Sequence, residues 1–540
     1  MTTKKIIKAI VFPIYISLIF VSCSDFLTEI DPNRITSESF WKTQSDFERG
    51  LISTYNSLRA LQNSATGWGH IQAETSVPLW TNANGVELLT FTYENNNGNP
   101  STKWNDLYTG IFRANQVLEN LENTDFDQGF KTQIAAEARF LRGLYSFWLA
   151  SNFNKGSVII KTSFPKNDDD YYSPVSPKAD VYALIIEDLT FAQNNLPRSW
   201  NSQNLGRATW GAATGILGQL YLYEKRYDDA KREFKAIIDS DIYKLTPDIS
   251  WNFDEEHEHN SESIFEINLS AELKDGINLS ASRASSFAPQ EAGGNRGIEP
   301  SYHMIMLFKS DPPDPANPVN QGQRFSQRCL ASICFKGDGG IFYQRQTFEF
   351  PFMVDQEAHI KKFQNWKLLQ EPETGRSGIN ERILRLADVY LMYAETVLMT
   401  TGDVNEAISY INLIRERSAV LQLNVNEYNT VDKVMTHLMR VERPLELAWE
   451  GHAISWQDIK RWGIVKSLYE ELSQIKYYRH DVLYSNIELT IATQANINNP
   501  EEGYIIRSEF VEAARNYNSD KHDYFAIPQN EVNYNPWVDK

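Results

Sequence analysis

The chain has 540 residues and a formal net charge of −18, from 52 Lys and Arg against 70 Asp and Glu, and it is 42% hydrophobic and 23% charged. That composition can bury a large core and excludes a disordered chain. The acidic balance excludes an extended phosphate-tracking surface, so no nucleic-acid partner is expected, and three cysteines supply neither a disulfide framework nor a four-thiolate zinc site.

The first segment does not belong to the fold. Lys4, Lys5 and Lys8 precede a 13-residue apolar run, 9–21, that ends in Phe20-Val21-Ser22-Cys23. The run is too short to span a bilayer, and its basic-then-apolar order marks residues 1–22 as a secretory signal peptide. A Cys at the cleavage point resembles a bacterial lipobox, with Phe20 in place of the usual Leu. Cys23 is then the site of lipid attachment (palmitate), which makes the protein membrane-anchored. The plainer alternative is an ordinary signal with an incidental Cys. Cleavage before Cys23 removes three lysines and no acid, leaving 518 residues at −21. Cys329 and Cys334 remain, either paired or as two ordinary thiols.

Length alone allows up to three domains. Helical periodicity runs through 104–121, 132–151 and 178–194. Two stretches then have the spacing of tetratricopeptide-like helical pairs. In the first, Ile216, Leu217, Leu220 and Tyr221 are followed, after a break, by Tyr227, Ala230, Phe234 and Ile237. In the second, 383–401 is read as a helix stopped by Gly402, and Asp403 with Glu406 as a capping box that opens the next. Small residues at Ala212, Gly215, Ala394 and Ala407 suit close helix crossings. A further helix is expected over 430–450. Residues 67–101 and 241–378 break the pattern with Pro, Gly, Ser and Asn, carrying short β-like runs such as Ser263–Asn268 and the irregular Asp311-Pro312-Pro313-Asp314-Pro315. The expected fold is mainly α: a tetratricopeptide-like helical-pair scaffold, about 30–240 and 380–465, bearing two long irregular excursions with short β segments. Binding commonly resides on such loops.

Several words along the scaffold point together to a family. Ser24-Asp25-Phe26-Leu27 follows the Cys, and Arg139-Phe140-Leu141-Arg142-Gly143 and Arg385-Leu386-Ala387-Asp388-Val389-Tyr390 come later. Glu442-Arg443-Pro444-Leu445-Glu446-Leu447-Ala448-Trp449-Glu450-Gly451-His452, Asp458-Ile459-Lys460-Arg461-Trp462-Gly463 and Ile527-Pro528-Gln529-Asn530-Glu531 complete the ordered set. Together they resemble the SusD/RagB family of outer-membrane nutrient-binding lipoproteins (starch-utilisation-system SusD-like), over essentially the whole chain after Cys23. The stretch after His452 is two residues longer than the usual pattern and lacks its Arg, and Ala526 stands where Pro is common.

The resemblance implies a single domain over 23–540 that binds a glycan without catalysis, lies on the cell surface at the outer membrane, and hands oligosaccharide to a SusC-type TonB-dependent transporter for polysaccharide utilisation and nutrient uptake. Asp25, Glu29 and Asp31 resemble the surface-export tag of such lipoproteins. The alternative is a tetratricopeptide-type protein-interaction or peptide-binding lipoprotein without glycan binding.

The residues themselves favour no enzyme, since there is no G-x-S-x-G elbow, P-loop or H-E-x-x-H. No cofactor is expected. Asn167-Asp168-Asp169-Asp170 offers oxygens to a structural Ca²⁺ but lacks the glycine and distal Glu of an EF-hand, and Asp254–His259 reads as a solvated acidic loop before a metal site. Arg139, Arg142, Glu395, Glu446 and Glu450 read as ion pairs between helices. Sugar recognition needs a flat aromatic against the C–H face of the ring and amides or ions for its hydroxyls. The first excursion offers Trp68, His70, Glu74, Trp80, Asn82, Asn84 and Tyr93, with 80–84 expected to be non-helical. The second offers Phe287, Gln290, Asn295, Arg296 and Tyr302 around Gly293-Gly294. For each Trp the alternative is burial beneath its loop.

Overall fold

The computed structural model describes residues 40–61, 70–78, 83–274, 277–347, 358–480, 489–499 and 504–538. The chain divides into two compact units, Met1–Phe47 and Glu48–Lys540. In the first, Asp46 Oδ2 accepts the backbone N–H and the hydroxyl of Thr43, both at 2.7 Å, and so secures the start of the Gln44–Leu61 helix.

In the second unit, seven helices stack in sequence: Gly98–Glu122, Gln128–Asn152, Lys178–Asn195, Trp210–Tyr223, Tyr227–Asp239, Leu386–Thr400 and Val404–Arg417. The stack steps directly from Tyr227–Asp239 to Leu386–Thr400 and omits the residues between. Helix propensity does not choose these neighbours; apolar faces that must be covered do. Close approach is built in: a Cβ at Gly218 would lie 2.6 Å from the Phe234 ring, and one at Gly215 would collide with Leu384. This mainly α scaffold agrees with the periodicity. The helix starts and stops also follow their caps, as where the Asp403 side chain accepts the Glu406 N–H at 3.0 Å. The Glu406 carboxylate accepts the Tyr393 hydroxyl at 2.7 Å, reaching across to the partner helix.

Two sequence expectations are corrected. Residues 383–385 do not open a helix: they belong to the strand Glu381–Arg385, antiparallel to Ser263–Ile267, and the helix begins at Leu386. All five strand residues are buried, and the pairing supplies carboxylates to their arginines, so tertiary context overrides periodicity. Nor is 430–450 one helix. Val431–His437 passes through a π-helical turn, Leu438–Glu442, into Arg443–Leu447 and stops. Pro444 has no N–H to give a regular ladder there, and Trp449 takes a left-handed φ of 61°.

The expected ion pairs form and extend into a buried network. Arg142 holds Asp188 with two bonds of 2.7 and 2.8 Å, and Arg461 pairs with Glu395. Arg385 reaches Glu262 at 2.6 Å, Glu446 at 2.7 Å and Glu450 at 2.6 Å. Lys362 adds to Glu450 at 2.6 Å and Arg417 to Glu262 at 2.8 Å, while Arg328, Arg415 and His437 surround Glu442. These cations hold Glu442 well below the usual carboxylate range and Glu262 at about 2 against the opposing effect of burial. The network ties the helical stack to the 442–450 segment, and there the Trp449 indole donates to Ser76 Oγ at 2.8 Å.

Candidate glycan-binding site

Ser76 opens the short strand Ser76–Pro78, which pairs antiparallel with Ile298–Pro300. Each strand belongs to a different excursion, so the pairing brings together segments more than two hundred residues apart. Below them lies a core of Ile71, Leu88, Ile298, Ile305, Phe308 and Trp449. Above them is a cavity of about 750 Å³. Pro78, Leu89, Pro300, Tyr302, Ile305 and Phe510 give it apolar walls, while Thr90, Thr92, Arg296, Glu299, Arg507 and Glu509 give it polar ones.

The polar groups are held in place. Arg296 is buried, pairs with Glu299, and adopts a left-handed φ of 53° beside the Gly293-Gly294 turn. A Cβ at Gly294 would run into the Ala288 carbonyl, so that turn admits no side chain. Glu509 accepts the backbone N–H groups of Tyr302 at 2.8 Å and His303 at 3.4 Å, first-turn donors of the Tyr302–Ser310 helix that its own carbonyls do not reach. Burial pushes this carboxyl up to about 7, against the lowering effect of those two donors. An apolar floor under fixed donors and acceptors can stack a ring and bond its hydroxyls at once.

Of the candidates, Arg296 and Tyr302 come together in this cavity. Asn84 is exposed in the first turn of the Ala83–Thr90 helix, so residue 84 is helical where a loop was expected. Val86, Leu89 and Thr90 of the same helix line the cavity. Tyr93 instead packs into the core, edge-on to His522 and Phe525 at 5.5 and 5.4 Å. Phe287 and Glu74 are buried, and Gln290 and Asn295 are exposed but outside the cavity lining. His70 starts the short 3₁₀ turn His70–Gln72. Trp68, Trp80 and Asn82 lie outside the described residues, as do residues 1–22 and Cys23. Glu299, Arg507, Glu509 and Phe510 were missed. The last three come from the C-terminal segment, and no local spacing announces that it folds back onto the excursions.

Both metal candidates include carboxylates that engage protein partners. Asp254, Glu256 and His257 form the one three-residue ligand-like group among the described residues, but Lys367 Nζ bonds Asp254 at 3.0 Å and Glu256 at 2.7 Å, and His257 Nδ1 bonds Asp254 at 2.9 Å. Glu255 and Glu258 accept the backbone N–H groups of Gly378 and Asn380, so the run, although Glu255 and Glu256 are exposed as a solvated loop would have them, is also stitched to a distant part of the chain. Asp170 caps its own turn, accepting the N–H groups of Lys166 and Asn167 at 2.9 and 3.2 Å. Cys329 and Cys334 are free, buried thiols whose pKa values burial pushes well up. Among the described residues, no helix is long and apolar enough to cross a membrane.

Residues 352–540 match the SusD family, and residues 25–222 match the family described as "Starch-binding associating with outer membrane". The chain belongs to the SusD/RagB family. Among its SusD-like relatives, SusD-like protein P25 of Formosa agariphila is 24% identical over 511 residues, which cover 85% of this chain and 91% of that protein. A SusD superfamily protein of Bacteroides vulgatus superposes with a TM-score of 0.75 at 26% identity, covering 93% of this chain and 99% of the other. Surface glycan-binding protein A of Bacteroides thetaiotaomicron, solved with laminarihexaose, shares the SusD-like fold at a TM-score of 0.67 and 18% identity, over 92% of this chain and 98% of its own.

Proposed function

We propose that this SusD-like chain is a glycan-binding lipoprotein that captures oligosaccharide at the cell surface and delivers it, unaltered, to a SusC-type TonB-dependent transporter in the outer membrane. The observation that carries the reading is the cavity at the junction of the two excursions, where Tyr302, Pro300 and Phe510 sit among Arg296, Glu299 and Glu509. A pyranose presents the matching surface, an apolar C–H face rimmed by hydroxyls. Trp80, Asn82 and Asn84, between the cavity-lining Pro78 and Val86, are proposed as further contacts. Family membership and the laminarihexaose-bound neighbour support the ligand class. In this reading Cys23 carries the lipid and residues 1–22 are removed.

Native electrophoresis through gels containing laminarin, amylopectin, xylan, galactomannan or pectin tests the binding. At least one polymer should retard the protein with no release of reducing ends, and Trp80→Ala should weaken the retardation without lowering the melting temperature. Failure to retard in every gel would remove the glycan reading. For the anchor, Cys23→Ala should move the protein from the membrane fraction to the soluble one.

A protein or peptide ligand is the second reading. It draws on a separate groove of about 580 Å³ beside Leu205, in which exposed Ile52 and Ile277 stand among Arg49, Arg59, Arg207 and Glu266, a mixture of apolar and charged groups that suits a peptide. Copurification of a partner that is lost in Ile52→Asp, with no glycan bound, would favour it.

A further inference from the structure

We propose that a second glycan subsite lies in the cleft formed by the C-terminal helix and turn, and that one polymer strand occupies it together with the first cavity; this rests on the glycan reading above. The cleft measures about 790 Å³, and its lining includes the amides of Asn95, Asn154, Gln529 and Asn533 and the indole of Trp537. No charged residue lines it among the described residues, although the chain carries a net charge of −18. Amides and an indole without ions match a neutral, hydroxyl-rich ligand; an anion, a cation or a charged peptide would be left uncompensated.

The platform is exposed and fixed. Trp537 is 64% exposed, which is unusual for so large an apolar ring without a ligand to cover it. Its backbone N–H bonds to Asn535 Oδ1 at 3.0 Å. Asn535 is buried and spends its amide hydrogens on Ser173 O at 2.9 Å and Glu531 Oε1 at 2.8 Å. The turn that presents the indole is therefore clamped to a different part of the chain, which lowers the entropy cost of stacking a sugar on it. The Gln529 side-chain amide donates to Asn533 Oδ1 at 2.9 Å, and the Asn533 amide hydrogens meet no acceptor among the described residues.

The two sites adjoin. Thr92 lines the first cavity and Asn95 the second, and three residues span at most about 11 Å. Tyr93, packed on His522 and Phe525 between them, makes that bridge rigid. A strand bound at both sites gains avidity without new contacts at either.

The test uses the full mature chain in the same five polymer gels, with Trp537→Ala and Asn533→Ala, both at exposed positions, and Trp80→Ala for comparison. For the polymer that retards the unaltered protein, Trp537→Ala should weaken binding roughly five- to tenfold and Asn533→Ala by a smaller factor, with melting temperatures unchanged. Combining Trp537→Ala with Trp80→Ala should abolish retardation. If a polymer retards the protein and both C-terminal variants equally, the second subsite is wrong while the first reading stands. If no polymer retards the unaltered protein, both fail.

Discussion

Arg385→Met removes the centre of the buried ion network while keeping most of the side-chain volume. Arg385 makes five hydrogen bonds: two to Glu450, one each to the carboxylates of Glu262 and Glu446, and one to the Glu446 carbonyl, all between 2.6 and 2.9 Å. Breaking a buried pair on one side costs about 3–5 kcal/mol. Here each abandoned carboxylate keeps at least one cation, Arg417 for Glu262, Arg417 with Arg328 at 4.0 Å for Glu446, and Lys362 for Glu450, which places the loss near the lower end, about 3 kcal/mol. The pH dependence follows from the sign of the shifts. Glu262 is held at about 2 in place of the ordinary 4.5, and Glu450 is also lowered. Their stabilisation is complete above the unfolded value and is lost as pH falls toward the folded one. The variant raises those folded values, so its penalty should be full at pH 7 and shrink by pH 4. Guanidinium unfolding followed by tryptophan fluorescence at both pH values measures it. A loss under about 1 kcal/mol at pH 7, or a penalty that grows on acidification, would refute the reasoning.

Other expectations follow from single contacts. Glu509 is raised to about 7, so it withdraws stability as pH climbs from the unfolded value near 4.5 through 7; Glu509→Gln should flatten that decline and stabilise the protein at pH 8 by about 1–3 kcal/mol, read from melts at pH 5 and 8. Gly218→Ala should cost about 1–3 kcal/mol, because its Cβ meets the Phe234 ring at 2.6 Å; an unchanged melt would show that the helices can separate there. With Lys367 seated on Asp254 and Glu256, neither EDTA nor millimolar Ca²⁺ should move the melting temperature of the unaltered protein. A Ca²⁺-dependent rise would make that turn a metal site after all.

The sequence by itself determined the class of fold, because 3.6-residue periodicity and capping residues are local signals that the stacked helices only had to obey. It also determined the ordered words of the family, and it marked Arg296 and Tyr302 as candidates by residue type. Where a non-local partner outbid local preference, reading failed: 383–385 looks helical until Ser263–Ile267 lies beside it, and 430–450 looks like one helix until the ion network, together with Pro444, bends it. Tyr93 and Asn84 carry the same polar-aromatic signature as cavity residues, yet packing against His522 and Phe525 takes one into the core and the Ala83–Thr90 helix carries the other. Only the tertiary structure decided the binding geometry. The cavity is assembled from residues at 77–78, 86–92, 296–305, 358 and 507–513, and the cleft beside it from Asn95, Asn154, Pro174, Val175 and the last helix and turn, which spacing along the chain cannot relate. Contacts across such distances are selected by the burial of the whole core, a property of no single segment.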